Sequence, residues 1–86
     1  MAKVKLFALF RELAGVGEIE VEGRNLREIL ENLTNRHPKL KETFFNDNKL
    51  KEFVQIMVNG KNARGNLDLE VSDRDLIAIF PPVSGG

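Results

Sequence analysis

Glu18-Ile19-Glu20-Val21-Glu22-Gly23-Arg24-Asn25-Leu26-Arg27-Glu28-Ile29-Leu30-Glu31-Asn32-Leu33 is the stretch on which the fold turns. Its first five residues alternate: Ile19 and Val21 face one way and three glutamates face water, the period of a half-buried strand. Gly23 ends that period. Asn25 is a good helix N-cap, and Glu28 stands three residues later in the capping-box position. Leu26, Ile29, Leu30 and Leu33 then follow the i, i+3, i+4, i+7 spacing of an amphipathic helix. The helix is expected over 25–36, closed by His37-Pro38 because a residue before proline disfavours helical geometry.

Working towards the start of the chain, Lys3 to Leu9 alternate as a strand, with Val4, Leu6 and Ala8 on one face and Lys3, Lys5, Phe7 and Leu9 on the other. Phe10 to Ala14 reads as one helical turn stopped by Gly15-Val16-Gly17. A strand, a short connection and a second strand make an N-terminal hairpin. Towards the end, residues 39–52 are charged and carry Phe44-Phe45 and Asn46-Asp47-Asn48, read as a short helical piece and a polar loop. Phe53 to Val58 is a strand with Val54, Ile56 and Val58 on one side, and Asn59-Gly60 is a tight-turn signal. Residues 62–66 form a loop, Leu67 to Val71 a short edge strand, and Ser72 to Asp75 a turn. Leu76 to Phe80 is a last, almost wholly apolar strand that Pro81-Pro82 ends, since proline cannot continue a ladder.

This element order predicts an α+β domain, a mixed sheet of four to five strands packed on one main helix. Val4, Leu6, Ile19, Val21, Val54, Ile56 and Val58 are expected to pack against Leu26, Ile29, Leu30 and Leu33. Eighty-six residues are one domain, with a modest core adequate to that size.

Composition narrows the function. Lys+Arg and Asp+Glu count 13 each, so the net charge is zero, which argues against binding nucleic acid through bulk positive charge. There is no cysteine and one histidine, His37, which excludes thiolate nucleophiles, disulfides and two-histidine metal sites within the chain. The apolar run Leu6 to Phe10 is far shorter than the about 20 residues that cross a bilayer. No membrane partner is expected, and the cytoplasm is the expected location. Glu18, Glu20 and Glu22 read as a solvated strand face rather than a calcium site. His37 reads as a helix C-cap rather than a ligand. Asn59-Gly60-Lys61 reads as a turn rather than a phosphate loop, because the flanking glycine and Ser/Thr are missing.

Strand parity adds a surface. If Val4 and Leu6 are buried, Phe7 and Leu9 point to the opposite face; the same argument turns Gln55 and Met57 outward, and Leu76, Ala78 and Phe80. One helix covers one face of a sheet. Phe7, Met57, Ala78 and Phe80 should therefore form an apolar patch, of the kind that marks an interaction site. The alternative is that one of the aromatics tucks under the 39–52 segment.

After Phe80 the chain reads Pro81-Pro82-Val83-Ser84-Gly85-Gly86. Leu6-Phe7-Ala8 with Arg11-Glu12-Leu13-Ala14-Gly15 resembles the start of the molybdopterin synthase small-subunit family (MoaD), and Phe80 to Gly86 resembles its end. The resemblance spans the whole chain, and its terminal motif is the more specific part. Arg74 departs from it, standing where the family has glycine between two aspartates, which disfavours a turn needing positive φ there.

The resemblance implies a ubiquitin-like β-grasp fold, with a domain over 1–81 and a flexible Gly-Gly tail over 82–86 (Pro82, Val83, Ser84, Gly85, Gly86). It implies a sulfur carrier. An ATP-dependent adenylating enzyme of the ubiquitin-activating type would adenylate the carboxylate of Gly86, and sulfur from a donor protein would replace AMP to give a thiocarboxylate. The tail would enter the large synthase subunit (MoaE), where the sulfur builds the dithiolene of molybdopterin. The chain would then be a non-catalytic, sulfur-donating subunit that binds no cofactor or metal itself, ATP being used by the activating enzyme. Phe7, Arg11, Met57, Ala78, Phe80 and Pro81 are the expected partner contacts, Arg11 being equally well read as a solvated arginine. Six residues at roughly 3.3 Å each let the segment from Pro81 reach about 20 Å into a partner. The other readings are a protein modifier joined through Gly86 to lysines, a carrier for thiazole or tRNA thiolation, and a plain binding module.

Overall fold

The computed structural model describes residues 1–82. In chain order it contains β1 (Ala2–Leu6), α1 (Ala8–Ala14), β2 (Glu18–Val21), α2 (Leu26–Arg36), α3 (Pro38–Phe44), β3 (Phe45–Asn46), β4 (Lys49–Leu50), β5 (Gln55–Val58), β6 (Lys61–Asn62) and β7 (Leu76–Phe80). Five strands form one mixed sheet in the order β2-β1-β7-β5-β6, and β3-β4 is a separate small hairpin. β1 and β7 run parallel at the centre, with Val4 beside Ile77 and Leu6 beside Ile79. The remaining pairs in the main sheet are antiparallel. This is the α+β, ubiquitin-like β-grasp architecture.

α2 begins as its sequence dictates. The Asn25 side chain accepts from the Glu28 N–H at 2.9 Å, while Glu28 Oε1 accepts from the Arg24 N–H at 2.9 Å. The reciprocal bond thus lands one residue upstream of the N-cap itself. His37 closes the helix, its N–H donating to the Leu33 carbonyl at 3.0 Å. Gly23 packs closely against α2: a Cβ there would stand 2.8 Å from the Ile29 backbone nitrogen.

The core lies between one sheet face and the helices. Val4, Leu6, Val21, Ile77 and Ile79 are fully or almost fully buried against Leu26, Ile29, Leu30 and Leu33. Ile19, expected in that core, is only half-buried near the sheet edge. Phe10 and Phe44 were not expected there, yet both are fully buried and meet edge to face at 4.8 Å between ring centroids. They join α1 to α3 and extend the core past α2.

Three local readings need correction. β1 stops at Leu6 and not Leu9, because Ala8 turns into α1 with φ 51. The 39–52 segment is more ordered than a helical piece and loop: α3 starts on Pro38, where a missing N–H costs nothing, and a hairpin follows. Leu67 to Val71 is not a strand. Its apolar residues do pack inward, but its backbone serves α2: the Leu67 and Leu69 carbonyls accept from the Arg27 and Leu26 N–H groups at 2.9 and 3.0 Å. These are N–H groups that a helix start leaves without intrahelical partners. Only an isolated bridge, Asn25 to Glu70, remains of the expected ladder.

Candidate functional site: an apolar sheet face at the root of the tail

The helices cover one face of the sheet and leave the other open. On the open face β7 presents Leu76, Ala78 and Phe80, and β5 presents Gln55 and Met57. The register sets Met57 opposite Ala78 and Gln55 opposite Phe80. Phe7 reaches this face from the β1–α1 junction, where its N–H donates to the Ile79 carbonyl at 3.3 Å. The Phe7 and Phe80 rings meet edge to face with centroids 6.3 Å apart. Phe7 stays 44% exposed and Leu9 47%, high values for large apolar side chains in a chain this small.

Phe7, Ala8, Leu9, Ala78, Phe80, Pro81 and Pro82 line one shallow, predominantly apolar depression. It opens where β7 hands over to Pro81-Pro82, so the surface and the root of the tail are continuous. Ala8, at φ 51, is one of the few residues outside glycine, asparagine and aspartate in the left-handed region. That conformation costs an L-residue about 1–2 kcal/mol, and such strain gathers at functional surfaces. Here it breaks the alternation of β1 and delivers Phe7 and Leu9 to the depression.

Lys5 stands beside Ala78 and Lys3 beside Leu76 across the parallel pair. Both lysines approach Glu18, at 4.0 and 3.7 Å. The apolar patch therefore has a charged border along β1 and β2. At the far end of β7 the Asn59 amide donates to Asp75 Oδ1 at 2.9 Å, and its oxygen accepts from the Leu76 N–H at 2.9 Å. Asp75 Oδ2 accepts from the Ser72 N–H at 2.8 Å. The Ser72 N–H, then the Asn59 amide, hold the Asp75 carboxyl below its usual range by favouring its charged form. Arg74, within this turn, has no positive φ, so the turn is built without glycine.

Of the residues singled out by sequence, Phe7, Ala78, Phe80 and Pro81 come together, with Met57 adjoining through Ala78. Arg11 does not join them. Two positions beyond Leu9, it projects about 200° away around α1, and its guanidinium packs over Gly17, where a Cβ would lie 3.0 Å from Nε. Leu9, which strand parity turns to the same face as Phe7 but which is not among the four residues expected in the patch, also lines the depression, reaching it from the first turn of α1 and not from a strand. Val83, Ser84, Gly85 and Gly86 lie outside the described residues. Among the described residues no helix is long and apolar enough to cross a membrane.

Comparison with known proteins agrees with the fold and with the resemblance at the two chain ends. The model of the ThiS family matches residues 4–86. The solution structure of small archaeal modifier protein 1 from Methanosarcina acetivorans superposes with a TM-score of 0.88 at 38% identity, covering 99% of this chain and 95% of that one. A chain in the crystal structure of the Amycolatopsis orientalis BexX/CysO complex gives a TM-score of 0.88 at 30% identity, with all of both chains covered. The molybdopterin synthase sulfur carrier subunit of Chlamydomonas reinhardtii is 34% identical over 87 residues, 98% of this chain and 96% of its own length.

Proposed function

The chain belongs to the ThiS family of ubiquitin-like sulfur carriers and modifiers, and from that premise we propose that it carries sulfur on Gly86 for dithiolene formation in molybdopterin synthesis. The observation that carries this reading is the continuity of the apolar face with Pro81-Pro82. A partner that covers Phe7, Ala78 and Phe80 is thereby presented with the chain leading to Gly86. Likeness to a molybdopterin synthase sulfur carrier subunit along nearly the whole chain supports it.

The chemistry fits a chain without cysteine. A free carboxylate is a poor electrophile. In the proposed sequence a Gly86 oxygen attacks the α-phosphorus of ATP and pyrophosphate leaves. A persulfide on a donor protein then attacks the carbonyl carbon and AMP leaves; a second thiol attacks the donor's own sulfur, forms a disulfide with it and so releases the thiocarboxylate. Attack of the thiocarboxylate sulfur on a carbon of the molybdopterin precursor forms a carbon–sulfur bond as a carbon–oxygen bond there breaks. Water then cleaves the acyl carbon–sulfur bond of the resulting thioester, leaving the sulfur on the precursor and restoring the Gly86 carboxylate. Glycine at the reacting position leaves the carbonyl uncrowded, and two prolines with fixed φ lower the entropy lost when the segment is threaded into an enzyme. The chain acts as a cosubstrate, its partners being the large synthase subunit (MoaE), an adenylating enzyme and a sulfur donor.

A second reading, a modifier joined through Gly86 to lysines of other proteins, is favoured by the likeness to small archaeal modifier protein 1. Intact-mass spectrometry of the chain expressed with its native partners separates the two. Exchange of one terminal oxygen for sulfur marks the carrier. A remnant of residues 75–86 on target lysines after trypsin has cut at Arg74, with no sulfur on the free chain, marks the modifier.

A further inference from the structure

We propose that a basic groove beside the β3–β4 hairpin is a second docking site, one that takes an extended acidic segment of a protein partner. The groove lies between that hairpin, the first half of β5 and the loop after β6. Among the described residues four cations line it, Arg27, Lys49, Lys51 and Arg64, against a single acid, Glu52. In a chain of zero net charge this is a strong local imbalance. Arg27 is paired with Asp68 at 3.2 Å, and Lys51 Nζ donates to the Glu42 carbonyl at 2.9 Å. Among the described residues Lys49 and Arg64 form no ion pair.

A second observation is independent of charge. Arg64 sits at φ 54, and with Gly65 at φ 74 it forms the turn that the Asn66 N–H closes onto the Ala63 carbonyl at 3.0 Å. Arginine is poorly suited to the left-handed region, where glycine or asparagine is at ease. Folding alone would favour either of those at position 64. An arginine held there against its own preference points to a role outside the fold.

The occupant follows from the lining. Leu50, Val54, Ile56 and Leu67 give the groove an aliphatic floor, and among the described residues no aromatic side chain lines it to stack a nucleic-acid base. Cations above an aliphatic floor match a peptide that alternates carboxylates with apolar side chains. Gln55 lines the groove and lies opposite Phe80 in the sheet, so the groove wraps round β5 from the apolar face.

The test follows backbone amide NMR shifts of the full chain during titration with a short synthetic peptide of alternating aspartate and leucine. The same peptide with lysine for aspartate, inorganic phosphate and a polyuridine oligomer are titrated in parallel. Shifts at Lys49, Leu50, Gln55 and Arg64 are expected with the acidic peptide alone. They should fade as salt is raised, since exposed charges are screened over about 8 Å at physiological ionic strength. The double reversal Lys49→Glu with Arg64→Glu should abolish them. Arg64→Asn should melt higher, by relief of strain, and yet bind the peptide about two- to fivefold more weakly, the effect of one exposed cation. Equal response to phosphate or to RNA, self-association of the chain through the groove, no shifts at these residues, or unchanged binding by Arg64→Asn would each overturn the proposal.

Discussion

Ile79 and Phe80 are neighbours on one strand and belong to different surfaces. Ile79 is fully buried beneath the helices; Phe80 lies on the open face against Phe7. The same contrast runs along β7, where Ile77 is buried and Ala78 is not, and across to β5, where Ile56 and Val58 are buried and Met57 is not. A strand turns alternate residues to opposite faces. One short sheet can therefore hold the fold together with one set of residues and offer a binding surface with the other. Changes on the two faces should separate cleanly into losses of stability and losses of binding.

The largest effect on the covered face is expected from Ile79→Ala. Deleting most of a fully buried isoleucine costs about 2–5 kcal/mol, through lost transfer energy and a residual cavity. Chemical denaturation should show that loss, and a loss well under about 1 kcal/mol would mean that the face is not packed as described. Phe80→Ala is the counterpart on the open face. Calorimetry with the large synthase subunit should show binding weakened by about 2 kcal/mol, the scale of an aromatic anchor. Stability should fall by no more than about 1.5 kcal/mol for the lost ring pair. Unchanged affinity would move the docking surface elsewhere.

Smaller effects sharpen the comparison at its edges. Asn25→Ala removes the N-cap of the covering helix and should cost about 1 kcal/mol, read from the same denaturation curves, without altering partner binding. The smallest effect concerns Asp75, at the end of β7 away from the tail. Its folded pKa is depressed, so the stability it contributes is complete above the ordinary carboxylate range. That stability should be lost progressively as the pH falls below about 5 and on through the lower folded value. Melting temperatures of Asp75→Asn should therefore depend less on pH in that acid range than those of the natural chain. Parallel curves would remove the network from the account.

Much of this division is legible in the sequence. Alternation in β1, β5 and β7 tells which residues share a face, and the Asn25…Glu28 pair with Leu26, Ile29, Leu30 and Leu33 locates the helix that covers one of them. What escapes such reading is burial that no period announces. Phe10 and Phe44 lie on two short helices of seven residues each and are buried by one another. Leu67, Leu69 and Val71 alternate like a strand, but the carbonyls of Leu67 and Leu69 accept from the first N–H groups of α2, a competition between two uses of the same carbonyls that residue types do not reveal. The basic groove is assembled from Arg27, the 48–56 segment and the loop after β6, and no single stretch of sequence is basic enough to suggest it. The terminal pair Gly85-Gly86 shows the converse, a motif plain in the sequence whose proposed chemistry belongs to the main chain and not to any side chain.

Removal of Gly86 separates the proposed sulfur chemistry from folding and docking. The shortened chain should melt at the same temperature as the full one, because its core and covered sheet face are intact, and it should bind the large synthase subunit while supporting no molybdopterin formation with the reconstituted partners. Molybdopterin formed by the shortened chain at the rate of the full one would contradict the account.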